Sequence, residues 1–550
     1  MTLSLQLPDW SSTTWLTAFI GVISALRLTY WQFFVKDNVI AVEKAKQGVP
    51  SAADNGGVPA GPRGWPLVGN LLTLGHEPHR ALADLAQIYG DVLQVQLGAF
   101  PTLVVSSMSL AKEVLVKQAA HFGAAGEPIR IVELGLGWNR PQLAAKRGAA
   151  RALVLSQALS GAFKSAQTAG LVSKAIHEVS EELVTTVKEE LGDAATNNKS
   201  GNPQITGLRS LLRRAALNVL LKVAFGVRIA GDSWQQESGG QPGQPSGSVA
   251  MLEVILSEMW QLVNNPVLAD HVPLLRLATG ALTTRCRFLA RQRDCILRDL
   301  VGGAKKAREQ ASSGDGKLGK SLRRAESLLD ALLAGQETSG LTDGEVADVL
   351  ADFVQRGVLP VAATVEWALA ELTRNPEIQK RLNQELEVEV FGKGGDVPRQ
   401  ALARTPLLSA IILETLRLHP TQPLSRPRRA AEDVHIDGYR VTKRQNVVIN
   451  TWALGRDARL FRSASDFVPE RFSQGALSTL LDAKDLYWSS LRVDETDVLI
   501  DIAAYFLGVL VRGFEWLPGL MHESRLSLQE SSGVEVSELV SAVAPCAKIR

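Results

Sequence analysis

The sequence predicts a mainly α-helical protein with a small β region, carried behind an apolar N-terminal segment. Three observations predict it. Helical apolar periodicity dominates from Ala144 to Leu300 and returns from Thr342 to Leu372. Short β-branched and alternating runs cluster at residues 92–105 and 434–450. An apolar stretch near the start is set apart by a segment rich in proline and glycine.

From the N-terminus, Trp15 to Val35 is apolar except for Thr17, Ser24, Arg27, Thr29 and Gln32. At about 1.5 Å per helical residue it can span a bilayer, with Trp10, Trp15 and Trp31 placed for the interfaces. Arg27 opposes insertion by roughly 2.5–3.5 kcal/mol, and the competing reading is a buried or interfacial helix. The expectation is a membrane anchor over residues 1–36, a linker and hinge over 37–66 and one body over 67–550. Pro59, Pro62 and Pro66 stiffen the hinge, because proline fixes its own φ and biases the residue before it toward extended geometry.

Within the body, Val92 to Leu97 and Thr102 to Val105 read as a hairpin turning through Gly98-Ala99-Phe100-Pro101. Asp232 to Ser248 and Ser312 to Lys320 read as surface loops. Thr342-Asp343-Gly344-Glu345 is a capping box opening a long helix, in which the threonine oxygen accepts from backbone N–H and the glutamate reaches back. Pro406 to His419 reads as a helix with Leu408, Ile411, Ile412, Thr415 and Leu416 on one face, stopped by Pro420. Val434 to Val441 and Asn446 to Asn450 read as strands.

Composition narrows the function classes. Lys and Arg (59) nearly balance Asp and Glu (57), so no strong field favours nucleic acid. The three cysteines, Cys286, Cys295 and Cys546, have neither C-x-x-C nor zinc spacing, which fits a reducing compartment without structural disulfides. Phosphate-loop, G-x-S-x-G and H-E-x-x-H motifs do not occur. His419, His435 and His522 stand isolated in the sequence and read as structural or exposed residues.

The most specific signal is a pair of motifs. Glu414-Thr415-Leu416-Arg417 sets an acid and an arginine three apart on one helical face. Leu418-His419-Pro420, the strands, Arg456-Asp457 and then Pro469-Glu470-Arg471-Phe472 follow. In this order and spacing they resemble the cytochrome P450 monooxygenases, from about Pro59 to Pro518. Arg356-Gly357 before Val365-Glu366-Trp367, and Phe514-Glu515-Trp516-Leu517-Pro518, resemble the plant microsomal members. The resemblance implies a cytochrome P450 fold in which Glu414, Arg417 and Arg471 form a structural lock behind a haem. It also implies haem contacts from Arg147, Arg428 and Arg492, although Leu143 replaces the tryptophan of the W-x-x-x-R helix. For Arg428 the competing reading is a surface cation in the Arg426 to Arg429 cluster.

The resemblance fails in two short segments. Where the family's distal helix carries an acid and a threonine that deliver protons to dioxygen, this chain has Leu359 and Pro360, with Thr364 the nearest substitute. Leucine cannot relay a proton, and proline breaks a helical hydrogen bond and kinks the helix. Where the family places its haem-ligating cysteine, the chain reads from Tyr487-Trp488-Ser489 to Arg492-Val493-Asp494. Aligning on Arg492 puts Asp494 at that position, and counting back from Phe514 puts Val493 there. Neither is the thiolate that pushes electron density into iron and favours O–O cleavage.

The resemblance implies NADPH- and dioxygen-dependent oxidation of a lipophilic small molecule by a haem-thiolate centre. Electrons would come from a separate membrane-bound flavoprotein reductase, with the body facing the cytosol at the endoplasmic reticulum. The residues at the iron site point away from turnover. The alternative expectation is a catalytically silent P450-like protein that binds a hydrophobic ligand or partner at the membrane.

Overall fold

The computed structural model describes residues 57–75, 77–124, 132–134, 158–163, 166–197, 207–227, 247–264, 268–313, 327–336, 340–388, 405–472, 493–517 and 546–549. Helices dominate. The longest are α1 (Pro78–Tyr89), α2 (Ala166–Asn197), α3 (Leu208–Phe225), α4 (Gly247–Asn264), α5 (Gly280–Ser313), α6 (Asp343–Arg374), α7 (Pro376–Leu386), α8 (Pro406–Leu418) and α9 (Val493–Gly513). All of these but α1, which packs with the hairpin at residues 92–105, share one core.

Helix α6 is the axis of this core. Every residue from Phe353 to Thr373 is buried, as befits a helix with neighbours on all sides. It packs against α3 and α9, and α2 closes the bundle over both. Gly357 permits the close approach: a Cβ there would stand 2.8 Å from both Leu220 of α3 and Leu499 of α9. The start of α6 is fixed locally. Thr342 Oγ1 accepts from the Glu345 N–H, and the Glu345 carboxylate accepts from the Thr342 N–H at 2.8 Å, the capping box expected from the sequence.

A five-stranded sheet lies beside the bundle in the order β1 (Val92–Leu97), β2 (Phe100–Val105), β7 (Asn446–Ile449), β4 (Arg428–Ala430) and β3 (Phe122–Ala124). β2 and β7 run parallel, with Thr102 opposite Asn446 and Val105 opposite Ile449. The other neighbours are antiparallel. Hairpin β5 (Val434–Ile436) and β6 (Tyr439–Val441) is a separate two-stranded sheet that shares an apolar cluster with the larger one, and β8 (Phe514–Leu517) pairs with β9 (Cys546–Ile549) after α9.

Several boundaries differ from the sequence expectation. The first hairpin turns on Gly98 and Ala99 alone, since Phe100 and Pro101 already pair with Leu97 and Gln96. Residues 434–441 form a hairpin instead of one strand, because Asp437 and Gly438 both take positive φ and reverse the chain. Helix α4 begins at Gly247 and α5 runs to Ser313, which shortens the two expected loops. The described part of the hinge lies against the body: the Ala60 carbonyl accepts from Gln94 N–H, and the Gly57 carbonyl from Arg440 N–H. Among the described residues no helix is long and apolar enough to cross a membrane; the anchor expected over Trp15 to Val35 lies outside them.

Candidate active site

Glu414 and Arg417 project from the same face of α8 into complete burial. Arg417 donates from Nε and Nη2 to the two Glu414 oxygens, each at 2.7 Å. Its Nη1 donates to the Gly455 and Ala464 carbonyls at 2.5 and 2.6 Å, and its Nη2 to the Asp466 carbonyl at 3.0 Å. Arg471, on the turn Pro469–Phe472, donates from Nε to Glu414 Oε1 at 3.0 Å and from its Nη atoms to the Arg462 and Ser463 carbonyls. The Val468 N–H completes the carboxylate at 2.8 Å. Two cations thus share one buried carboxylate while backbone oxygens take their remaining protons, the condition under which buried charge is tolerated. Gly455 makes room for it: a Cβ there would stand 2.0 Å from the Arg417 carbonyl oxygen.

A second buried network joins α8 to α6. The His419 ring stacks on Trp367 at 3.8 Å and 6°, and His419 Nε2 lies 2.8 Å from Glu371 Oε1. One turn earlier, Glu366 accepts from Arg209 of α3 at both oxygens, at 3.0 Å from Nε and 2.8 Å from Nη2. Sequence reasoning left His419 isolated and used Glu366-Trp367 only as markers. The available signal was Glu371, four residues after Trp367 and so on the same helical face.

The middle of α6 is different in character. Its helical run is unbroken across Pro360, and both Leu359 and Pro360 are buried. From Gly357 to Ala363 no side chain can ionise. The Thr364 hydroxyl, fully buried, donates to the Pro360 carbonyl at 2.7 Å, so its one proton is held within the helix.

Arg428 stands half-buried on β4, between β7 and β3. Burial pushes its guanidinium pKa down from the ordinary arginine value. Its neighbour Arg429 donates to Asn446 Oδ1 at 3.2 Å and lies over the Phe100 ring. Arg147 and Arg492 lie outside the described residues, as does the segment 473–492. Val493 and Asp494 open α9, but their side chains lie outside the described set. Cys286 is buried in α5, Cys295 is exposed on the same helix, and Cys546 opens β9 opposite Leu517.

This bundle-and-sheet architecture with its buried Glu–Arg–Arg cluster defines a class. A family model described as Cytochrome P450 matches residues 59–482, ending before α9 begins. The chain belongs to the cytochrome P450 family. Among similar proteins are a flavonoid 3'-monooxygenase of Oryza sativa subsp. japonica, 27% identical over 88% of this chain and 89% of that protein. Geraniol 8-hydroxylase of Swertia mussotii is 29% identical over 88% and 92%. An (S)-N-methylcoclaurine 3'-hydroxylase of Papaver somniferum is 28% identical over 88% and 93%.

Proposed function

We propose that the chain has the scaffold of a plant microsomal haem monooxygenase for a lipophilic small molecule, and that as encoded it does not sustain oxygen activation. The first half rests on the family and on relatives that are hydroxylases and monooxygenases of small organic molecules. In that role the body would sit at the endoplasmic reticulum membrane and take NADPH-derived electrons from a separate flavoprotein reductase.

The second half rests on how the residues fit a haem. On the propionate side they fit. Arg428 is a half-buried, desolvated cation with no carboxylate paired to it among the described residues, and a haem propionate would supply one. By the resemblance, Arg147 would join Arg428 there and Arg492 would contact the haem from the segment before α9. On the iron side they do not fit. The observation that carries this is the placement of sulfur: Cys286 and Cys295 belong to α5 and Cys546 to β9, leaving none between residues 473 and 494. Asp494 or Val493 stands where the thiolate belongs, and a carboxylate is a harder, less donating ligand. On the distal side Leu359 and Pro360 offer no proton, and Thr364 is committed to a backbone carbonyl.

Haem content and the ferrous carbon-monoxide difference spectrum of the purified full chain test this. The expected result is little haem and no red-shifted thiolate band, with no NADPH-dependent product in the presence of a plant reductase. Stoichiometric haem showing that band would overturn the reading.

A further inference from the structure

Gln355 is a polar side chain inside the apolar core, with Phe353, Val354, Val358 and Leu359 buried around it on α6. It is 3% exposed. Its Oε1 accepts from Arg293 Nη1 of α5 at 3.5 Å, while its Nε2 is buried with no hydrogen-bond partner among the described residues. The orientation is not arbitrary. Arg293 also donates from Nη1 to the Leu134 carbonyl at 3.0 Å and from Nε and Nη2 to Asp294, so the cation is fixed against the amide. Flipping the amide would set NH2 donors against guanidinium donors. The oxygen therefore turns toward Arg293 and the NH2 group away from it.

A buried amide N–H without an acceptor is costly, by about 1–3 kcal/mol, and native proteins leave few such groups without a reason. The position supplies one. Leu359 is four residues on, so both side chains share a face of α6. Arg293 also ties that face to Leu134, which is buried in the same core. Gln355 thus offers one donor, turned away from Arg293, among the buried apolar side chains of α6.

We propose that Gln355 is a specificity-determining hydrogen-bond donor for an oxygen acceptor, a carbonyl or ether oxygen, on an otherwise apolar ligand. This deepens the reading of a lipophilic small-molecule pocket and rests on it. A site built around an unpaired donor disfavours the analogue lacking the acceptor, because the donor then stays unpaired. It does not depend on haem or on turnover.

The test is binding to the purified full chain by isothermal titration calorimetry. Benzophenone and diphenylmethane serve as probes of similar shape that differ in one carbonyl oxygen. Wild type is expected to prefer benzophenone about five- to tenfold, the scale of one hydrogen bond. In Gln355→Leu the preference disappears through weaker benzophenone binding, while diphenylmethane affinity holds. Folding of that variant is checked by its urea midpoint, expected equal to or above wild type because a buried unpaired donor has been removed. Equal binding of the two probes to wild type, or a preference that survives in Gln355→Leu, overturns the inference and leaves the lipophilic pocket standing. Binding of neither probe overturns the pocket reading, and the inference with it.

Discussion

The Glu414–Arg417–Arg471 cluster and the middle of α6 are both deeply buried, yet they use burial in opposite ways. In the first, charge is enclosed and its needs are met: one carboxylate receives two guanidinium groups and a backbone N–H, and carbonyls take the spare donors. In the second, from Gly357 to Ala363, charge is absent and the helix is apolar, with a proline that subtracts a hydrogen bond from its own ladder. The first region holds segments far apart in sequence in one arrangement. The second keeps an unbroken helical run without ionisable groups. The difference teaches that this chain encloses charge where partners from several segments meet it and keeps the axis of its bundle apolar where only packing is on offer.

Substitutions can break that contrast. The largest effect is expected for Glu414→Gln, which leaves Arg417 and Arg471 sharing a neutral amide in a fully buried site. Breaking one partner of such a pair costs about 3–5 kcal/mol. The measurement is the urea midpoint, with soluble yield as a second readout; a shift below about 0.5 kcal/mol, the range of an ordinary surface change, would show that the cluster is not what holds α8 to the turn at 469–472. Pro360→Ala should act in the other direction. It restores an N–H to the helix ladder and removes a ring from the α6 interior, where proline costs roughly 3 kcal/mol in an ideal case. Part of that gain is offset by the looser unfolded chain and the space left behind, so a rise of about 1–2 kcal/mol is expected from the same titration. A marked loss would mean that Pro360 is packed as tightly for purpose as Glu414, and the two regions would no longer differ.

How much was legible in the sequence follows the same division. The Glu414-x-x-Arg417 and Pro469-Glu470-Arg471-Phe472 motifs, the capping box at Thr342 and the strands near 92–105 and 446–449 were readable because local spacing fixes which side chains share a face. The His419–Trp367 stack, the Arg209–Glu366 pair and the backbone carbonyls around Arg417 were not. They join residues distant in sequence, and nothing local encodes which partner a buried ring or guanidinium will meet. Gln355 was missed for a related reason: an amide in an apolar run reads as a neutral interruption until its neighbours fix which end faces what.

The smallest expected effect sharpens the comparison along a single helix, because α6 holds both a well-satisfied end and the apolar middle. At its start Thr342 Oγ1 accepts from the Glu345 N–H, and Glu345 returns a bond to the Thr342 N–H at 2.8 Å. Thr342→Ala removes one half of that exchange and strands an N–H that intrahelical bonding cannot satisfy. The cost of losing such a cap is about 1 kcal/mol, read as a lower urea midpoint with unchanged slope. If the loss appears, the start of α6 is stabilised by its own sequence, while the apolar middle is held by its neighbours α3 and α9. If the midpoint does not move, α6 is held by packing alone, and the apolar stretch from Gly357 to Ala363 must then carry a larger share of the fold.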